Sequence, residues 1–348
     1  MNGIKIFGGQ SNPGFVEGIC EYLREKREIK IQPGEALVTK FSDGEPQVEI
    51  EENIRESDVF IVQSTCRTPD DVAEAYYRKR FPDKEIPVNG IRGYSQADNW
   101  FELYCMIDAA VRSSARRVTA VVPYYGCARQ DKKTQPRVPF TARLVADFVG
   151  EAGAKRAIFM DLHAEQIQGF FKIPTDRVYA SGFLLDSIIA RFGKGEHLVV
   201  VSPDAGGVER ARHYAKTLDA GLAIIDKRRP VPNQSEVMHV IGTVKDKIAI
   251  IVDDMCDTAG TLVKASMALM DNGAKEVHGC FAHPVFSGPA IERLNTSPIG
   301  EIWVSNSIPL SAEARNCEKR INVVSACSLI AEAIYRSHMG DSITSLFK

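Results

Sequence analysis

Six short runs rich in β-branched residues punctuate this sequence, and the stretches between several of them carry the spacing of amphipathic helices. The runs are VFIVQST (59–65), VTAVVPYYG (118–126), RAIFMDLHA (156–164), HLVVVSPDAGG (197–207), LAIIDKRRP (222–230) and KIAIIVDDM (247–255). ARLVADFVGEAGA (142–154) and TLVKASMALMDNGA (261–274) are helical patterns, each with a glycine stop signal near its end. Near-continuous apolar strands alternating with such helices predict an α/β fold whose parallel sheets are covered on both faces, with ligands at the carboxyl ends of the strands. The order also repeats. AVVPYYGCARQDKK then AIFMDLHAEQIQG in the first half parallels AIIDKRRP then AIIVDDMCDTAGT in the second. A chain of 348 residues exceeds what one core usually organises. Two similar domains are therefore expected, each a parallel sheet flanked by helices, spanning residues 1–177 and 178–340 with a tail at 341–348.

The composition narrows the partners. Hydrophobic residues are 44% and charged residues 25%, as in ordinary globular domains. A net charge of −2 offers no global basic field for nucleic acid or an anionic membrane, so any phosphate must be held locally. The eight cysteines are scattered, without the C-x-x-C pairs of zinc sites or the clustering of a disulfide framework, which fits a reducing cytosol. The opening MNGIKIFGG has neither the basic flank nor the apolar core of a signal peptide, and no apolar run reaches the length of a membrane span. The expected location is cytoplasmic.

The most informative string is IVDDMCDTAGTL (251–262), where an aliphatic strand runs into acids and then into a small-residue turn opening a helix. Successive backbone N–H groups at a helix N-terminus bind phosphate. Asp253 and Asp254 would repel a phosphate but suit the hydroxyls of a vicinal diol. The string therefore describes a ligand with hydroxyls at one end and phosphate a few ångströms away, as in a ribose 5-phosphate, the phosphate falling to Asp257, Thr258, Ala259, Gly260 and Thr261. The plainer alternative is a strand end with Asp257 as helix N-cap. A Walker B strand is excluded because the chain holds no G-x-x-x-x-G-K-[ST].

With FSDGE (41–45), PYYGCARQDKK (123–133), DLHAEQIQGFF (161–171), SPDAGG (202–207), DKRRP (226–230) and SITSLF (342–347), the chain resembles the ribose-phosphate pyrophosphokinase family, within the type I phosphoribosyltransferase superfamily. The likeness covers nearly the whole chain. Taken alone, FSDGE would suit any strand-edge turn and CARQDKK any solvated basic loop. The resemblance implies a Phe41–Arg129 sandwich around adenine, with Asp43, Glu45, Gln130, Asp131 and His163 completing an ATP site. It implies Mg²⁺ held by His163 and Asp204, and Lys227 and Arg229 as catalytic cations, Arg229 also contacting ribose 5-phosphate. The implied reaction passes a diphosphoryl group from ATP to ribose 5-phosphate. A base-specific phosphoribosyltransferase and a catalytically silent regulatory paralogue are the alternatives.

The resemblance further implies a homo-oligomer, commonly a hexamer, with phosphate and ADP as effectors. Arg55, Ser114, Arg137, Ser342 and Ser345 match the effector positions, whereas Asn53 stands where the family often has Ser. Lys172 replaces a common acid, which puts a second metal site in doubt although Asp176 is kept. Residues 69–96 are an insertion relative to the family. They are expected to begin with a short helix with Asp70 as N-cap, to lie on the surface of the first domain, and to affect assembly or regulation.

Overall fold

The computed structural model describes residues 3–41, 43–83, 92–228 and 237–347. The chain forms two compact units: Met1–Tyr179 with Ser307–Ser311 and Ala326–Lys348, and Ala180–Asn306 with Ala312–Ser325.

The first unit runs β1 (Ile4–Gly8), α1 (Pro13–Arg27), β2 (Ala36–Lys40), β3 (Pro46–Ile50), β4 (Asp58–Val62), α2 (Asp70–Arg80), α3 (Gln96–Arg112), β5 (Arg117–Val122), α4 (Thr141–Glu151), β6 (Arg156–Met160) and β7 (Thr175–Val178). Five strands form a sheet in the order β1-β4-β5-β6-β7, all neighbours parallel. Both faces are covered, so β4 and most of β5 are buried along their length, as the unbroken aliphatic runs require. Every strand then ends at the same edge of the sheet, where its following loop is available for binding. β2 and β3 form a separate antiparallel ribbon that, among the described residues, makes no ladder to the sheet. Val38 of that ribbon lies in the core with Ile54, Trp100 and Leu103.

A polar network is buried beneath the ends of β1 and β4. Glu102 on α3 accepts through Oε1 from the Gln10 backbone N–H at 2.7 Å and from Gln63 Nε2 at 2.8 Å, while its Oε2 is buried with no partner. Burial pushes this carboxyl up to about 7, against the lowering effects of its two donors and of Lys40, with Asp98 raising it slightly. In the unfolded chain it ionises near 4.5, so the folded state holds the extra proton between about pH 4.5 and 7 and loses stability as pH rises through that window. Glu102→Gln mimics the protonated form. Its stability relative to wild type should improve between pH 4.5 and 7.5 by up to roughly 3 kcal/mol, read by denaturant unfolding. A difference that does not vary with pH would contradict this account.

The expected insertion helix forms as α2, but Asp70 is its first residue and not its cap. The N-cap is Pro69, with no side-chain cap bond. Asp70 Oδ1 instead accepts from the Gly93 backbone N–H at 2.9 Å and pairs with Arg67 at 2.8 Å, drawing the two ends of the insertion together. A β-carbon on Gly93 would stand 1.8 Å from the Thr68 carbonyl oxygen, so only glycine fits there. α2 docks on its own unit through the Lys79–Glu17 and Arg80–Glu51 ion pairs. Residues 84–91 of the insertion lie outside the described residues.

The second unit runs α5 (Ser181–Phe192), β8 (Leu198–Ser202), α6 (Val208–Thr217), β9 (Gly221–Arg228), β10 (Val237–Ile241), β11 (Ile248–Cys256), α7 (Gly260–Asp271), β12 (Glu276–Pro284), α8 (Ala290–Asn295), β13 (Ile299–Ser305), α9 (Ala312–Arg315) and β14 (Arg320–Val324). Among the described residues its sheet has the order β10-β9-β8-β11-β12-β13-β14, parallel except for β10, which pairs antiparallel with β9. The chain leaves β8 toward β9 on one side and leaves β11 toward β12 on the other. The boundary between β8 and β11 is thus a topological switch point, with a crevice outside their carboxyl ends.

The last helix, α10 (Cys327–Met339), was expected in the second domain and instead packs with the first unit. Arg27 on α1 holds Glu332 through two hydrogen bonds of 2.7 Å, and His338 Nδ1 lies 2.9 Å from Asp58 Oδ2 on β4. Among the described residues no helix is long and apolar enough to cross a membrane.

Candidate active site

In the first unit, the string 41–45 is the turn joining β2 to β3. The Phe41 N–H donates to the Glu45 carbonyl at 2.8 Å and the Glu45 N–H donates to Asp43 Oδ1 at 3.0 Å, with Gly44 at φ 96° closing the bend. Asp43 therefore shapes its own turn. Phe41 is left 51% exposed, an unusual amount for a phenylalanine and enough to offer a ring face to a flat partner. Arg129, Gln130 and Asp131 lie on the loop after β5, and His163 follows β6, the neighbouring strand. Gln166, in the 3₁₀ turn Glu165–Phe170, donates to the buried Asp131 carboxylate and links the two loops. Gln130 Oε1 accepts from Thr141 Oγ1 at 3.0 Å at the start of α4. Arg129 and His163 are exposed. Asp131 thus holds the loops together.

Lys172 and Asp176 are engaged within the unit: Lys172 Nζ is 3.2 Å from Asp147 Oδ1, and Asp176 pairs with Arg156 on the adjacent strand. The effector-matching positions are also in this unit. The Asn53 carboxamide accepts from the Arg55 N–H at 3.0 Å, the Ser114 carbonyl accepts from the Glu56 N–H at 2.9 Å, and the Arg336 guanidinium binds both Ser342 and Ser345. Arg137 is exposed, with φ 63°.

In the second unit the switch-point crevice carries the predicted acids. β11 pairs with β8 only as far as Ile251, yet continues beside β12 to Cys256. Asp253 and Asp254 therefore stand beyond the end of β8. Arg210 on α6 donates to Asp253 Oδ1 at 3.0 Å and lies 3.8 Å from Asp254 Oδ1. Burial, then the negative charge of Asp254, raise the Asp253 carboxyl well above the usual carboxylate range, with Arg210 opposing. After β8, Asp204 Oδ1 accepts from the Gly206 and Gly207 N–H groups at 2.9 and 3.1 Å, a turn that fixes the direction of the carboxylate.

The turn after β11 decides between the two readings of Asp257. The N-cap of α7 is Ala259, at φ 57° and without a side-chain cap bond, so the first-turn amides receive nothing from a capping side chain. Asp257 is not the cap; its carboxylate accepts from Ser287. Arg293 donates to the Thr258 carbonyl at 2.9 Å, which holds the turn from behind. A left-handed alanine is uncommon. Here it turns the chain so that Gly260 and Thr261 begin the helix with their N–H groups presented at its end, the arrangement that binds an anion. Lys227 lies on β9 opposite Met238; its side chain and the whole of Arg229 lie outside the described residues.

Sequence reasoning did not identify Arg210, Gln166, Ser287 or Arg293. Arg210 carries a legible signal. It sits in the first turn of the helix that follows SPDAGG, where a parallel-sheet topology brings it beside the end of the neighbouring strand.

Residues 4–153 match the family model for the N-terminal domain of ribose phosphate pyrophosphokinase, and residues 226–348 match the phosphoribosyl synthetase-associated domain. The chain is 47% identical to the ribose-phosphate pyrophosphokinase of Caldanaerobacter subterraneus subsp. tengcongensis, over 99% of this chain and 98% of that protein. It is 45% identical to the protein of the same name from Xanthomonas campestris pv. campestris, over 98% and 97%. The crystal structure of phosphoribosylpyrophosphate synthetase from Mycobacterium smegmatis superposes with a TM-score of 0.81 at 34% identity, covering 97% of this chain and 100% of that one. Both units thus have their counterparts in that fold, and this chain belongs to the ribose-phosphate pyrophosphokinase family.

Proposed function

We propose that this protein is a ribose-phosphate diphosphokinase, which moves the β,γ-diphosphoryl group of ATP to the anomeric hydroxyl of ribose 5-phosphate and gives 5-phosphoribosyl 1-diphosphate and AMP. The observation that carries the reading is the end of β11 in the second unit, where a pair of acids is followed by a short turn and a helix start without a side-chain cap. Asp253 and Asp254 accept from the ribose hydroxyls, and the amides at Asp257–Thr261 take the 5-phosphate. In the first unit, Phe41 and Arg129 hold the adenine, with Asp43, Glu45, Gln130, Asp131 and His163 around the nucleotide.

The anomeric oxygen forms a bond to the β-phosphorus, the bond from that phosphorus to the α,β-bridging oxygen breaks, and AMP leaves with the oxygen. The hydroxyl proton is released to solvent. The nucleophile belongs to the substrate, so no covalent enzyme intermediate is needed. Lys227 and Arg229 neutralise charge developing on the transferred group.

His163 and Asp204 are the residues that would hold magnesium, which supplies charge neutralisation on the polyphosphate. They suit that ion. The Asp204 carboxylate, oriented by two amides, is a hard oxygen donor of the kind that leaves most of the coordination of such an ion to water and phosphate oxygen. Homo-oligomerisation, response to phosphate and ADP through Arg55, Ser114, Arg137, Ser342 and Ser345, and a cytoplasmic location complete the proposal.

The test is release of AMP from ATP that requires ribose 5-phosphate and no added base. AMP release requiring a free purine or pyrimidine instead would assign the chain to base transfer. A sharper prediction concerns Asp253. At a pH where the wild-type carboxyl is ionised, Asp253→Asn should raise the KM for ribose 5-phosphate by roughly 10- to 100-fold, as expected when a charged acceptor is lost, and shift the KM for ATP far less. Since the wild-type carboxyl is raised, ribose 5-phosphate affinity should weaken on acidification at a pH above the ordinary carboxylate range. Equal weakening of both substrates would contradict the diol assignment.

A further inference from the structure

Among the described residues the β2–β3 ribbon forms no strand ladder with the sheet, and a lone two-stranded ribbon is marginal in water. Its base is tied to β1 by the bond from the Gly34 N–H to the Ile6 carbonyl at 2.7 Å, and toward its tip, at Phe41, side chains take over. Val38 anchors the middle of β2 in the core. The end of β2 is held differently, by the insertion.

Lys40, the residue immediately before Phe41, places its ammonium 4.1 Å from the centroid of the Tyr94 ring and 2.7 Å from Asp98 Oδ1. The lysine is three-quarters buried, which strengthens both attractions relative to water. Asp98 is itself fixed, since it completes a capping box with Ser95 at the start of α3. Tyr94 is fixed as well. Its carbonyl accepts from the Thr68 N–H at 2.8 Å, its hydroxyl bonds to the Gln10 side chain, and Gln10 also donates to the Val38 carbonyl of β2. The Gly93 N–H bond to Asp70 closes the loop just before it.

We propose that Tyr94 and Lys40 form a positioning pair for the nucleotide-binding ribbon, so that the insertion sets the geometry of the ATP subsite in the first unit. This rests on the reading of Phe41–Glu45 as the adenine-binding turn. A ribbon fixed at both Val38 and Lys40 presents the exposed Phe41 ring without first having to be ordered by the ligand, and that preorganisation appears as ATP affinity. The role differs from the one expected of a surface insertion, which would touch assembly or effector response and leave substrate binding alone.

The experiment compares ATP binding by calorimetry, and the KM for each substrate, in wild type, Tyr94→Ala, Tyr94→Phe and Lys40→Met. Tyr94→Ala and Lys40→Met are each expected to weaken ATP by roughly 3- to 30-fold, the range spanned by a partly buried cation–π contact. The KM for ribose 5-phosphate and kcat at saturation should stay within about two-fold. Tyr94→Phe keeps the ring and should recover ATP affinity to within about three-fold of wild type. ATP affinity unchanged in both disrupting variants, or equal loss for both substrates, would overturn the proposal. Failure of Tyr94→Phe to recover would assign the effect to the hydroxyl and overturn the cation–π pairing. Lys40→Met gives an independent reading if Tyr94→Ala does not fold. Because binding is read without turnover, a wild type that binds ATP but transfers nothing would overturn the proposed reaction and leave this test intact.

Discussion

Lys227→Ala is expected to lower turnover by roughly two to four orders of magnitude while changing ATP affinity little, the usual effect of removing a charge that meets its partner in the transition state. Diphosphoryl transfer asks little covalent chemistry of a protein. It asks for position and for neutralisation of charge spreading over phosphate oxygens. The sequence supplies three consecutive cations, Lys227, Arg228 and Arg229, and the fold carries the first of them to the end of β9, where it pairs in register with Met238 of β10. The check is single-turnover kinetics beside a direct measurement of ATP binding. Near-normal turnover in the alanine variant would remove Lys227 from the mechanism.

The second large effect is on stability. Arg117→Met should destabilise the first unit by about 3–5 kcal/mol, the cost of leaving a buried charge with too few partners. Asp58, at the start of β4, has no exposed side-chain surface, and Arg117 grips both of its oxygens while donating to the Ser337 carbonyl of α10 at 3.0 Å. His338 reaches the same carboxylate. The guanidinium therefore ties the C-terminal helix to the central sheet, and its loss affects both. Denaturant unfolding followed by a probe in the first unit provides the measurement. A loss below about 1 kcal/mol would show that His338 alone suffices.

The sheet strands that bear ligands were legible because nothing competes with their pattern. VFIV, TAVV and AIIV are buried on both faces, and a run of that kind has one stable use in an α/β chain. β12 was not legible. EVHGCFAHP carries two histidines and a glycine, yet is buried through its interior because His278 bonds to Glu276 and accepts from the Glu301 N–H at 3.0 Å, partners invisible in the string itself. The placement of α10 failed for a related reason, since its anchors Arg27–Glu332 and Asp58–His338 join residues about 300 positions apart.

The acids of the site could be read from their position at a strand end. Whether Asp257 capped the helix could not, because the choice turns on the left-handed Ala259 and on Ser287, 30 residues further along. Likewise Asp70 looked like a cap by residue type. The Gly93 amide and Arg67 claim its carboxylate instead, and only tertiary proximity reveals them.

The central claim is that the β-phosphorus of ATP becomes the phosphorus attached to the sugar. ATP labelled with ³³P at the β-position, incubated with the protein, magnesium and ribose 5-phosphate, tests it directly. The proposed reaction puts all transferred label into 5-phosphoribosyl 1-diphosphate and leaves the nucleotide product as unlabelled AMP. Label retained in ADP, with a singly phosphorylated transfer product, would mean γ-phosphoryl transfer and contradict the account.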